Sequence, residues 1–165
     1  MEKRKRFGDF ECDLIIGSGH SGAILTVVER VTGLGLMAKL KDKLSSTVSA
    51  ALIKLLKPFK GRIHTITSDN GTEFSAHAAV SKELECEYFF ARPYHSWERG
   101  SNENYNGLVR DYFPKKMEFY SITEKDVKTV EKALNNRPRK RHKYLSPIEF
   151  FDKNFKQLDD RCDDN

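Results

Sequence analysis

The chain is 165 residues long, 38% hydrophobic and 32% charged, the size of one domain that buries roughly 70% of its unfolded surface. No apolar run approaches the ~20 residues that span a bilayer, and no secretory pattern opens the sequence, which argues against a membrane protein. Lysines and arginines number 29 against 24 aspartates and glutamates, a net charge of +5 that suits a polyanionic partner.

Residues 1–7 form a short basic lead, Met1-Glu2-Lys3-Arg4-Lys5-Arg6 before Phe7. It reads first as a linker stub from a longer protein, and otherwise as a nucleic-acid-binding arm or a solvated tail. Residues 10–16 (F-E-C-D-L-I-I) read as a strand closed by Gly17. Asp13 sits in its middle, where an ionised carboxylate costs several kcal/mol unless it is paired or binds a metal. A functional role follows for Asp13. Glu11 and Asp9 share its face by strand alternation but rank second, since a polar edge face also explains them. The run from Gly17 to Gly22 matches G-x-G-x-x-G, yet a strand-like stretch follows it where a dinucleotide fingerprint needs a helix. It reads as a hairpin loop, and no nucleotide cofactor is expected. Thr32-Gly33 turns a second hairpin into residues 34–40, completing three consecutive antiparallel strands.

A helix is predicted over residues 45–56, capped by Ser45, Ser46 or Thr47, with Val48, Leu52, Leu55 and Leu56 on one face. Lys54, Lys57, Lys60 and Arg62 gather around its end, where cations suit the helix dipole. Residues 63–74 read I-H-T-I-T-S-D-N-G-T-E-F. Their β-branched start suits a strand, and Asn70-Gly71 ends it in a tight turn. Asp69 is left at the rim of the sheet, where open α/β sheets place their chemistry; the plain alternative is that it only serves the turn. A helix over 75–84 and a strand over 86–91 complete a mixed α/β order.

The segment 102–113 has helical spacing, with Tyr105, Leu108, Val109 and Tyr112 as its buried stripe. Glu103 lies about 200° from Tyr105 around that helix and points away from the stripe, near Asn102, Asn106 and Arg110. An ordinary first-turn glutamate would sit there equally well. Residues 134–144 (L-N-N-R-P-R-K-R-H-K-Y) are the densest basic run, either a solvated connector or a phosphate-contacting segment. Ser146-Pro147-Ile148-Glu149 restarts a helix with a capping box, and the acidic residues from 159 onward read as a frayed tail.

Asp13, Asp69 and Glu103 stand out as three carboxylates that would repel one another without a cation. Hard oxygens suit Mg²⁺ or Mn²⁺. Two such ions about 4 Å apart can activate an attacking oxygen and stabilise a leaving one in an in-line phosphoryl displacement. No histidine spacing suggests zinc, and no G-x-S-x-G suggests a covalent hydrolase. Three scattered cysteines without C-x-x-C favour neither a disulfide framework nor a zinc site and make a reducing cytoplasm the default.

Several motifs closely resemble the catalytic core of bacterial insertion-sequence transposases, specifically the insertion sequence 30 family of the DDE class. They are F-E-C-D-L-I-I-G (10–17), S-D-N-G-T-E-F (68–74), P-Y-H-S-W-E-R-G-S-N-E-N-Y-N-G-L-V-R (93–110), N-N-R-P-R-K-R (135–141) and S-P-I-E-F-F (146–151). The resemblance implies a ribonuclease H-like fold, a mixed five-stranded sheet with helices on both faces, over a core of residues 8–152 with a frayed tail from 153 to 165. It assigns the acidic triad to Asp13, Asp69 and Glu103, with Asp13 bridging two Mg²⁺ or Mn²⁺ ions. It implies cleavage of transposon ends and joining of the DNA 3′-hydroxyl to target DNA, by a homo-oligomer on DNA, in the bacterial cytoplasm and at the nucleoid when acting. Expected DNA contacts are Trp97, Arg99, Asn102, Asn106, Arg110, Arg137, Arg139, Lys140 and Arg141. Packing and capping are the plainer roles for Trp97 and Arg99, and Asn102, Asn104 and Asn106 could instead position the acid. One departure is Asp9-Phe10, where a His-Trp pair is common in the family. The rival readings are a nuclease of the same fold that only hydrolyses, and an inactive DNA-binding or oligomerisation module.

Overall fold

The computed structural model describes residues 6–92 and 100–155. Five strands form one sheet: β1 (Asp9–Ile16), β2 (Ala23–Glu29), β3 (Gly35–Leu40), β4 (Thr65–Ser68) and β5 (Glu87–Phe90). Their order is β3-β2-β1-β4-β5, antiparallel from β1 to β3 and parallel from β1 through β4 to β5. The two tight hairpins enforce the antiparallel half. Crossovers through α1 (Ser45–Leu56) and α2 (His77–Leu84) enforce the parallel half. The mixed sheet is as the sequence led us to expect.

β2 is buried along its whole length, and its alternation feeds two cores. Ala23, Leu25 and Val27 face Val48, Leu52 and Leu56 of α1 and Val80 and Leu84 of α2. Ile24 and Val28 face the other way, toward α3 (Gly100–Tyr112) and α4 (Glu124–Asn135), which supply Tyr105, Val109, Val127, Val130 and Leu134. Each such Val, Leu or Ile side chain contributes roughly 1.5–3 kcal/mol by leaving water. α3 approaches β3 so closely that a Cβ on Gly35 would stand 2.1 Å from the Tyr105 ring.

Four details differ from the sequence reading. The folded body starts earlier than the expected stub: Phe7 is buried among Phe10, Phe59, Phe151 and Phe155, its ring 5.0 Å from that of Phe151. At the other end α5 (Pro147–Phe155) carries Phe151 and Phe155 into that cluster, so residues 153–155 are helical, and the rest of the expected tail lies outside the described residues. α1 is not capped by Ser45, Ser46 or Thr47: its N-cap is Leu44, with no side-chain cap, and Asp42 instead accepts from the Leu44 N–H at 3.0 Å. Finally, Tyr112 is 47% exposed rather than part of the α3 stripe, whose buried members are Ser101, Asn102, Tyr105 and Val109. The expected box at α5 is present, with Glu149 accepting from the Ser146 N–H at 2.7 Å.

After α4 the turn Lys140–His142 seats His142 against Phe150, ring centroids 4.0 Å apart, with Nε2 2.8 Å from the Thr32 carbonyl. Burial pulls the His142 pKa below its ordinary 6.5, and the adjacent Arg141 guanidinium pulls it the same way. The unfolded chain therefore takes up this proton first. Stability from neutral His142 is complete above about pH 6.5 and is lost as pH falls below that. We expect the melting temperature to decline between about pH 7 and about pH 5, and the profile of His142→Gln to be flatter in that window by thermal circular dichroism.

Candidate active site

Asp13 lies on β1, the middle strand of the sheet, half-buried on the face covered by α3. One carboxylate oxygen accepts from the Leu14 N–H at 2.9 Å, and the other from the Asn106 side-chain amide at 3.1 Å. Asn106 is oriented in turn by Thr26 on β2, whose hydroxyl donates to the Asn106 carbonyl oxygen at 2.7 Å. Thr26 stands opposite Asp13 in the β1–β2 register. That bond turns the amide N–H of Asn106 toward the carboxylate, an outer-shell role of the kind that fixes a metal ligand.

Asp69 follows β4 directly and accepts from the Gly71 N–H at 3.1 Å. It thus serves the turn, and it also sits at the sheet's rim. The parallel register sets Glu11 beside Thr67. The ladder ends there, with Asp13 two residues further along β1 and Asp69 just past the end of β4. Tyr88 of β5 lines the same end of the sheet, its hydroxyl 3.7 Å from Cys12 Sγ. Burial pushes the Tyr88 pKa up, and the Cys12 and Asp69 charges push it the same way.

Glu103 is exposed in the first turn of α3, one turn before Asn106 and so a neighbour of it on the helix surface. The structure does not bring it into contact with the two aspartates. Among the described residues no group of three or more His, Cys, Asp or Glu side chains is close enough to hold a metal ion. Asp13 on β1 and Asp69 just past the end of β4 are both half-buried carboxylates, the hard oxygen donors that a divalent cation takes.

Glu11, on the same face as Asp13, is fully buried. It pairs with Arg30 Nε at 2.9 Å and accepts from the Asn102 N–H at 2.8 Å. Asn102 is fully buried as well, its side chain donating to the Glu11 carbonyl at 2.9 Å. Asn102 is therefore a strut between α3 and β1, not a DNA contact. Arg110 is also committed internally: it donates to the Ile16 carbonyl at 2.9 Å and lies 5.8 Å over the Phe119 ring, and burial lowers its pKa. Arg137, Lys140 and Arg141 are exposed and Arg139 is half-buried. Trp97 and Arg99 lie outside the described residues. Sequence reasoning missed Thr26 and Arg30, and the signal for Thr26 was a lone hydroxyl in an apolar run.

No protein-family model matches the chain. In sequence it is 49% identical over 151 residues to the transposase of insertion sequence element IS4351 from Bacteroides fragilis, covering 92% of this chain and 46% of the relative. It is 33% identical over 154 residues to the transposase of element IS30A from Escherichia coli (strain K12), covering 93% of this chain and 40% of the relative. The chain thus spans under half the length of these relatives. The catalytic core domain of BIV integrase superposes with a TM-score of 0.70 at 18% identity, over 91% of this chain and 97% of that one. The simian T-cell lymphotropic virus intasome gives a TM-score of 0.71 at 16% identity, over 91% of this chain and 56% of that one. The fold is the ribonuclease H-like fold of integrase cores, and the resemblance to insertion sequence 30 family transposases read from the motifs is borne out.

Proposed function

We propose that this chain, whose sequence relatives are insertion-sequence transposases and whose fold is that of integrase cores, is the catalytic core of a DNA transposase. It cleaves the ends of its element and joins the DNA 3′-hydroxyl to target DNA. One observation carries the reading: Asp69 directly follows β4, the parallel neighbour of the β1 strand that holds Asp13, and the helix bearing Glu103 reaches Asp13 through Asn106.

Asp13, Asp69 and Glu103 would hold Mg²⁺ or Mn²⁺ here. Such ions, when bound in a pair, activate the attacking oxygen and stabilise the leaving one. Thr26 and Asn106 fix the orientation of the Asp13 carboxylate, so that its geometry is set before DNA arrives. The DNA partners are the element's ends and its target, engaged by a homo-oligomer in the bacterial cytoplasm, at the nucleoid when acting. Among the described residues no helix is long and apolar enough to cross a membrane.

The test is incubation of the chain with Mn²⁺ and a labelled duplex bearing the element's terminal repeat. Joined products are expected; hydrolysis without joining would favour a nuclease, and intact DNA would overturn the reading. Asn106→Ala should raise the Mn²⁺ concentration for half-maximal joining by about 10–100-fold, the usual cost of losing an outer-shell partner. Its melting temperature should change little, because Asn106 is half-buried and lies outside both hydrophobic clusters.

A further inference from the structure

On the flank of α3 turned away from Glu103, its first turn and the turn following α4 enclose a cleft of about 300 Å³. Gly100, Ser101 and Asn104 form one wall; Arg139, Lys140 and Arg141 form the other. Among the described residues no acidic side chain lines it. Three cations therefore converge on the end of a 13-residue helix whose dipole presents positive charge there.

Charge alone would describe a solvated connector. The buried hydroxyl says more. Ser101 is 7% exposed, it lines the cleft, and its Oγ has no hydrogen-bond partner among the described residues. Buried polar groups nearly always have a hydrogen-bond partner, so an orphan in the wall of a basic cleft points to one supplied from outside the chain. Arg139 tells the same story. It is half-buried, its guanidinium donates to the Leu134 carbonyl at 3.3 Å, and no carboxylate pairs with it among the described residues.

We propose that this cleft binds a phosphate group of the DNA backbone, with Ser101 Oγ and the Arg139–Arg141 cations as its donors. The assignment rests on the transposase reading above and adds a contact that reading does not need. Residues 101, 104 and 108 lie on one side of α3, and Glu103 and Asn106 on the other, so the bound phosphate sits across the helix, on the order of 10 Å from the carboxylates. It holds the strand away from the scissile bond, and Ser101 and Arg139 act as positioning residues.

The experiment is fluorescence anisotropy of a labelled terminal-repeat duplex with the whole chain, in calcium and over a series of salt concentrations. Ser101→Ala removes a hydroxyl with no partner in the fold, so the thermal melt should be unchanged while duplex affinity drops about tenfold. The exposed pair Lys140→Gln and Arg141→Gln should lower the slope of log affinity against log salt by about one for each lost phosphate contact. In a second arm, inorganic phosphate should raise the melting temperature of the parent chain and not that of Ser101→Ala. Unchanged duplex affinity and salt slope in these variants would overturn the proposal. A phosphate effect lost in Ser101→Ala with duplex binding intact would make free phosphate the ligand and overturn the DNA assignment. Weakened binding in a chain that never joins DNA would leave the cleft standing and sink the transposase reading instead.

Discussion

Asp13→Asn and Asp69→Asn should each abolish end cleavage and joining, lowering the rate by about 10³-fold or more, because on the proposed mechanism each removes several kcal/mol of transition-state stabilisation supplied through a bound cation. The fold should survive both changes. Asn in place of Asp13 can still accept from the Leu14 N–H, and it forfeits one bond from Asn106. Against that loss stands the relief of like charge with Asp69, which follows the neighbouring strand. The melting temperature of Asp13→Asn without divalent ions should therefore equal or exceed that of the parent chain, while Mg²⁺ should raise the parent's melting temperature and not the variant's. Activity and stability thus move in opposite directions, which a packing role for Asp13 does not produce. A variant that lost stability and activity together would mark the residue as structural.

The second large effect concerns Glu11→Ala, expected to cost about 3 kcal/mol of folding stability by chemical denaturation, as breaking a buried ion pair generally does. Glu11 is fully buried, and its loss strands Arg30 and the Asn102 N–H together. Since Asn102 fastens the first turn of α3 to β1, the same change loosens the helix that carries Glu103 and Asn106. Glu11→Gln keeps an acceptor for the Asn102 N–H and should cost less. A Glu11 acting as a metal ligand would show the reverse pattern, with metal affinity lost and stability kept.

Local signals made much of this legible in advance. Gly17 and Thr32-Gly33 mark chain reversals, Asn70-Gly71 marks the end of β4, and the strands alternate or run apolar as their burial requires. Asp13 stood out because no buried strand tolerates a lone carboxylate. Long-range partnerships were not legible. Asn106 meets Asp13 across 93 positions and Asn102 meets Glu11 across 91, and no spacing rule reaches that far. The same blindness explains the α3 stripe: helical periodicity favoured Leu108 and Tyr112, whereas polar groups on β1 and β2 draw Asn102 inward instead. α4 was missed although Thr123 and Asp126 form a capping box and Val127, Val130 and Leu134 recur at helical spacing. Its charged surroundings hid a clear start signal. Phe7 was misread for a different reason, since a basic lead conceals one aromatic whose partners Phe151 and Phe155 come from the far end of the chain.

The most direct measurement is anomalous scattering from manganese in crystals of the chain bound to a duplex carrying its terminal repeat. Our account predicts peaks about 2.1 Å from carboxylate oxygens of Asp13 and Asp69, with Glu103 completing the set. Manganese held by other side chains, with Asp13 and Asp69 unliganded, would contradict it.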